Sequence, residues 1–131
     1  MKKLTYLFIL PLFASCAEKP AEFKSVPAKE FATIIEDTNV VRLDVRTVPE
    51  YLRGHIEGSI NIDVLKDSFE IKAINSLDKS STIALYCRSG RRSKDAARIL
   101  AENGFNVVEL ESGYNGWTEY KEKHDTITTM K

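Results

Sequence analysis

Cysteine is scarce in this chain of 131 residues. Cys16 and Cys87 are the only two, too few for a disulfide scaffold, and no Cys/His spacing suits a zinc site. Neither sign of charge is in excess: nineteen Lys and Arg balance nineteen Asp and Glu. The chain therefore lacks the basic surplus that neutralises phosphates, and nucleic acid is not an expected partner. Six glycines and four prolines exclude collagen-like and low-complexity classes. No internal repeat is visible, and no apolar run is long enough to span a bilayer as a helix. What is present is a 43% hydrophobic, 29% charged composition. That supplies one globular core and, at this length, one domain.

Residues 1–15 read as an address. Lys2 and Lys3 precede a largely apolar run, Leu4 to Phe13, of the length of a signal-peptide core. The segment Leu12-Phe13-Ala14-Ser15-Cys16 resembles a bacterial lipobox, in which the cysteine is lipidated and becomes the new N-terminus. Phe13 and Ser15 depart from the commonest residues of that motif, so a plain signal peptide cleaved near Cys16 is the alternative. Either reading exports the protein. The lipobox implies a cell-envelope protein tied to a membrane through Cys16 and facing the periplasm. Removing residues 1–15 takes away two lysines and no acid, leaving seventeen basic and nineteen acidic residues, a net charge of −2. With Cys16 lipidated, Cys87 is the one remaining thiol, either buried and inert or kept for its reactivity.

Residues 16–22 form a polar tether, 23–123 the domain and 124–131 a polar tail. Phe23 to Val26 suits a short edge strand, and Pro27 starts a helix with Phe31, Ile34 and Ile35 on one face. Val40–Val45 is rich in β-branched residues and reads as a strand. Pro49–Leu52 reads as a short helix, Ser59–Ile62 as a strand, and 66–76 as a helix bearing Phe69, Ala73 and Ile74, with Leu77 on the same stripe. Thr82–Tyr86 has the continuous apolar character of a central strand buried on both faces. Ser93 is placed to cap a helix that turns Ala96, Ala97, Leu100 and Ala101 inward and stops at Asn103-Gly104. Val107–Leu110 is a further strand, and a last helix begins near Tyr114 to Trp117. This alternation predicts an α/β fold: a mainly parallel central sheet with helices on both faces.

The chemistry concentrates where the strand ending at Tyr86 runs into Cys87-Arg88-Ser89-Gly90-Arg91-Arg92-Ser93. In parallel sheets ligands bind outside the carboxyl ends of strands. The following helix points its free N–H groups and positive dipole end back at the sulfur. A turn containing Gly90 can form an anion-binding nest. Arg88, Arg91 and Arg92 add fixed positive charge. Each effect favours thiolate over thiol, so the loop suits a sulfur nucleophile acting on an anion. A small buried core cysteine beside solvated arginines is the blander reading.

These residues resemble the single-domain rhodaneses, a sulfurtransferase family, over nearly all of 23–120. One block is Leu43-Asp44-Val45-Arg46 with Glu50-Tyr51, Gly54-His55-Ile56, Gly58-Ser59 and Asn61-Ile62. The other is Tyr86 to Ser93, followed by Ala96-Ala97, Leu100, Gly104-Phe105, Val107, Leu110, Gly113 and Trp117. The resemblance implies a rhodanese-like fold and covalent catalysis by Cys87. Its thiolate attacks the sulfane sulfur of thiosulfate or a similar anionic donor, and a thiol or cyanide-like acceptor removes the sulfur. Arg88, Ser89, Gly90, Arg91, Arg92, Ser93 and Arg46 are the expected donor-binding residues. No cofactor or metal is implied, and a monomer is expected. Two other readings keep the fold: a binding or sensing module, and a persulfide carrier serving one protein partner. Four residues separate Cys87 from Arg92, whereas related phosphatases and arsenate reductases use a loop one residue longer, so the resemblance points to sulfur and away from phosphate.

Arg46 has two open roles: charge near the sulfur, or a pair with Asp44. Asp44 and His55 are expected to be structural, and Tyr114 and Trp117 to pack the last helix on the sheet.

Overall fold

A computed structural model describes residues 20–129. The signal segment 1–15, Cys16 and the tether up to residue 19 lie outside the described residues. Ten elements alternate along the chain: β1 (Lys24–Val26), α1 (Ala28–Ile34), β2 (Val41–Asp44), α2 (Val48–Arg53), β3 (Ile60–Asn61), α3 (Phe69–Ser76), β4 (Thr82–Tyr86), α4 (Arg92–Glu102), β5 (Asn106–Leu110) and α5 (Gly113–Thr129). The five strands form one sheet in the order β1-β5-β4-β2-β3, with every neighbouring pair parallel. This is the α/β architecture that the alternation predicts.

The side-chain period of two along each strand divides the core between the two faces of the sheet. Ile83, Leu85 and Cys87 turn one way, with Leu43, Val45 and Val107, and meet Phe69 and Ala73 of α3 and Ala96, Ala97 and Leu100 of α4. Ala84, Tyr86, Val108 and Leu110 turn the other way and meet Phe31 of α1 and Tyr114 and Trp117 of α5. Leu85 and Ile83 are fully buried, and each such side chain contributes about 1.5–3 kcal/mol from removal from water. Trp117 packs edge-on against Phe31 with ring centroids 6.2 Å apart, so α5 is fixed to α1 as well as to the sheet.

Three expectations need correction. The helix foreseen from residue 66 begins at Phe69, because the Asp63 carboxylate accepts the Leu65 N–H and holds 63–68 in turns. Ala101 is only half-buried, unlike Ala96, Ala97 and Leu100. The polar tail expected from residue 124 continues α5 as helix to Thr129. Thr126 and Thr128 spend their hydroxyls on carbonyls four residues back, at Glu122 and His124, satisfying them within the helix. No helix among the described residues is long and apolar enough to cross a membrane.

Candidate active site

Cys87 is the residue after β4, at the carboxyl end of a strand flanked by β5 and β2. The loop from 87 to 91 is held at its start by α5. Tyr114 N–H donates to the Cys87 carbonyl at 2.8 Å, and Asn115 N–H to the Arg88 carbonyl at 3.1 Å, so the first turn of α5 anchors the loop backbone. Gly90 has φ +94°, and a Cβ on it would lie 2.0 Å from the Glu111 carbonyl oxygen. Only glycine gives both that conformation and that closeness. The curl aims the Gly90 N–H at the Cys87 sulfur, 3.2 Å away.

The thiol Sγ–H donates to Ser93 Oγ at 3.3 Å. Burial pushes the Cys87 thiol up. The Ser93 hydroxyl and the backbone N–H groups of Ser93, Ser89 and Gly90 outweigh that, and hold it below the ordinary cysteine range. The loop is thus a nest of donors around a sulfur, closed by the start of α4. Cys87 itself is 1% exposed, so the sulfur sits on the floor of the loop rather than open at the sheet's rim.

Ser93 corrects its expected role as a cap. It is the second residue of α4, it is buried, and the cap position falls on Arg91, which makes no side-chain capping bond. Its hydroxyl instead donates to the buried Glu109 carboxylate, at Oε1 and 2.6 Å, a charged acceptor that makes a short, strong bond.

The arginines divide. Arg92 makes two hydrogen bonds of 2.8 Å to the two carboxylate oxygens of Glu50. Glu50 is itself placed by the capping box of α2: Thr47 Oγ1 and N–H both donate to Glu50 Oε2, at 2.8 and 3.0 Å. The Arg92 bond, opposed by burial and aided by Thr47, holds the Glu50 carboxyl far below the usual carboxylate range. Arg46 makes the pair with Asp44: Nε and Nη2 bond its carboxylate, Nη2 also donates to the Gly54 carbonyl at 2.6 Å, and the guanidinium lies 4.3 Å from the Tyr114 ring centroid. Arg88 and Arg91 are exposed and have no ion pair among the described residues. A cavity of about 310 Å³ is lined by Arg46, Glu50, Arg53, Gly54, Arg88, Tyr114 and Asn115, and opens beside the residue that follows Cys87. Ser89 is exposed on the loop. His55 turns Nδ1 to the Tyr51 carbonyl at 2.9 Å and stacks on the Tyr51 ring, a structural turn.

Sequence reasoning passed over three participants. Glu50 stood in a matching block, but its reach to Arg92 depends on a separation of 42 residues. Arg53 lines the cavity from the end of α2 with no special spacing to mark it. Glu109 did carry a signal: an acid inside the apolar strand Val107–Leu110, and it is 0% exposed.

A parallel α/β sheet with a donor-lined thiol loop after its central strand defines the class. Residues 27–120 match the family described as Rhodanese-like domain, and the chain belongs to that family. It is similar to the thiosulfate sulfurtransferase PspE of Escherichia coli (strain K12): 41% identity over 71 residues, covering 54% of this chain and 67% of that one. It also resembles the tRNA uridine(34) hydroxylase of Pelagibacter ubique (strain HTCC1062), at 28% identity over 120 residues. That match covers 91% of this chain but only 40% of the relative's length. Among solved structures, a rhodanese-related protein from Thermoplasma volcanium superposes with a TM-score of 0.66 at 31% identity, covering 75% of this chain and 93% of its own.

Proposed function

We propose that this protein is a sulfurtransferase that carries sulfane sulfur on Cys87. One observation carries the reading: a thiol at the end of the central strand that accepts the Gly90 N–H at 3.2 Å and bonds Ser93 Oγ at 3.3 Å. That setting stabilises a thiolate and, equally, the anionic persulfide that replaces it. The thiolate attacks the outer sulfur of thiosulfate or a similar anionic donor. The bond between the two donor sulfurs breaks, and sulfite leaves with its electron pair. Cyanide or an acceptor thiolate then attacks the outer sulfur of the persulfide, and Cys87 departs as thiolate, which completes a two-step exchange. The unpaired Arg88, and Arg53 at the cavity wall, attract the anionic donor. Arg92, held by Glu50, fixes the start of α4 against α2.

The near-complete burial of Cys87 favours a second reading, a persulfide carrier for a protein partner with slow turnover toward small acceptors. In both readings the donor reaches the sulfur only when the 88–91 loop gives way. We place the protein at the cell envelope, held by lipid on Cys16. The deciding experiment is thiocyanate formation from thiosulfate and cyanide by the full chain and by Cys87→Ser. Sulfur transfer predicts turnover with parallel double-reciprocal plots, abolished in the variant. A carrier predicts persulfide with little turnover, and no persulfide at all overturns both. For the anchor, Cys16→Ser releases the protein from the membrane fraction; retention contradicts lipidation.

A further inference from the structure

We propose that Glu109, together with Lys94, is a positioning pair that sets the ionisation of the Cys87 thiol through the single proton of the Ser93 hydroxyl. The proposal rests on the reading of Cys87 as the nucleophile. Period two along β5 turns Glu109 to the same sheet face as Val107, the face covered by α4. There its carboxylate is fully buried and receives three donors. Ser93 Oγ–H reaches Oε1 at 2.6 Å, Lys94 Nζ reaches Oε1 at 3.4 Å, and Ser25 Oγ–H of β1 reaches Oε2. Lys94 also bonds the Gly90 carbonyl at 2.8 Å, so the same ammonium ties the carboxylate to the loop that cradles the sulfur.

The hydroxyl has one proton and two claimants. With the thiol protonated, Sγ–H donates to Ser93 Oγ and Ser93 Oγ–H donates to Glu109, and every group is satisfied. When the thiol loses its proton to water, the sulfur can take the Ser93 proton only at the expense of Glu109. The carboxylate thus opposes the thiolate twice, by competing for that donor and by placing a second negative charge nearby. Lys94 offsets both effects. Arg92 of α4 also senses the sulfur, since the Cys87 charge favours its protonation after Glu50 has claimed it, and the exposed Arg88 and Arg91 flank the loop itself. From β1 the facing side chain is the neutral Ser25.

The test measures ultraviolet thiolate absorbance against pH on the full chain carrying Cys16→Ser, so that Cys87 is the only thiol. Glu109→Gln keeps an oxygen acceptor for Ser93 but removes the charge. It is expected to lower the apparent pKa of Cys87 by about one pH unit, tenfold in thiolate below that pKa. Lys94→Met is expected to raise it by about half a pH unit, and Lys94→Arg to restore the parent value. A merely structural role predicts no opposed shifts. Shifts of the same sign, or none, overturn the proposal. If Glu109→Gln does not fold, Lys94→Met decides alone, and an unchanged or lowered pKa overturns it. Opposed shifts in a protein that forms no persulfide with thiosulfate sink the sulfurtransferase reading and leave this inference standing.

Discussion

Gly90→Ala tests the architecture of the thiol loop. At φ +94° an L-residue costs about 1–2 kcal/mol relative to glycine. The added methyl would lie 2.0 Å from the Glu111 carbonyl oxygen, which is backbone and cannot swing aside, and overpacking of this kind adds about 1–3 kcal/mol. The combined loss is about 3 kcal/mol, which lowers Tm by on the order of 15 °C in a domain of this size. The same movement withdraws the Gly90 N–H from the sulfur. A hydrogen bond to a charged acceptor is worth about 1.5 kcal/mol, so the thiol pKa rises by about one pH unit, and the thiolate falls about tenfold at any pH below the parent pKa. Gly104→Ala is the control. It shares a positive φ, +83°, but nothing lies within 4 Å of its new Cβ, so it loses only about 1 kcal/mol with no change in the thiol. Melting followed by circular dichroism, and the thiolate absorbance titration, read the two effects separately. Gly90→Ala melting within a few degrees of Gly104→Ala, with an unshifted thiol, would refute the reasoning.

Tyr86→Phe removes the hydroxyl that accepts the buried Ile56 N–H at 2.9 Å and donates to Ser59 Oγ at 3.2 Å. An orphaned buried N–H costs about 1–3 kcal/mol, so urea unfolding should show a loss of about 2 kcal/mol while the Cys87 titration stays in place. Glu50→Gln breaks a two-bond, partly buried pair with Arg92 and costs about 1 kcal/mol at neutral pH. Because the folded carboxyl lies below its ordinary value of 4.5, that contribution is complete above the unfolded value and is lost as pH falls from there. The gap between wild type and Glu50→Gln should therefore be constant above about pH 5 and close in acid. A gap that widens in acid contradicts the pairing.

Much of the fold was legible because its signals are local. The β-branched and apolar runs at 41–44 and 82–86, the helical stripe of Ala96, Ala97 and Leu100, and the Asn103-Gly104 stop each reflect short-range physics. The strand-to-loop-to-helix passage at Cys87 was legible for the same reason. What was hidden is tertiary. The charge count of the 88–92 stretch said nothing about Glu50 claiming Arg92, since that depends on where α2 meets the start of α4, whereas the Asp44–Arg46 pair, two residues apart, was one of the roles the sequence left open. Ser93 looked like a cap because caps are local, but α4 begins one residue before it, and its hydroxyl serves a carboxylate sixteen residues later in the chain. The continuation of α5 past His124 was missed because an exposed polar helix bears little apolar stripe to mark it.

The central claim is that Cys87 takes up sulfur, and intact-protein mass spectrometry after thiosulfate treatment tests it most directly. The account predicts a species heavier by one sulfur atom, located on Cys87 by peptide mapping, absent from Cys87→Ser and stripped by cyanide. An unmodified protein, or sulfur that cyanide does not remove, would contradict it.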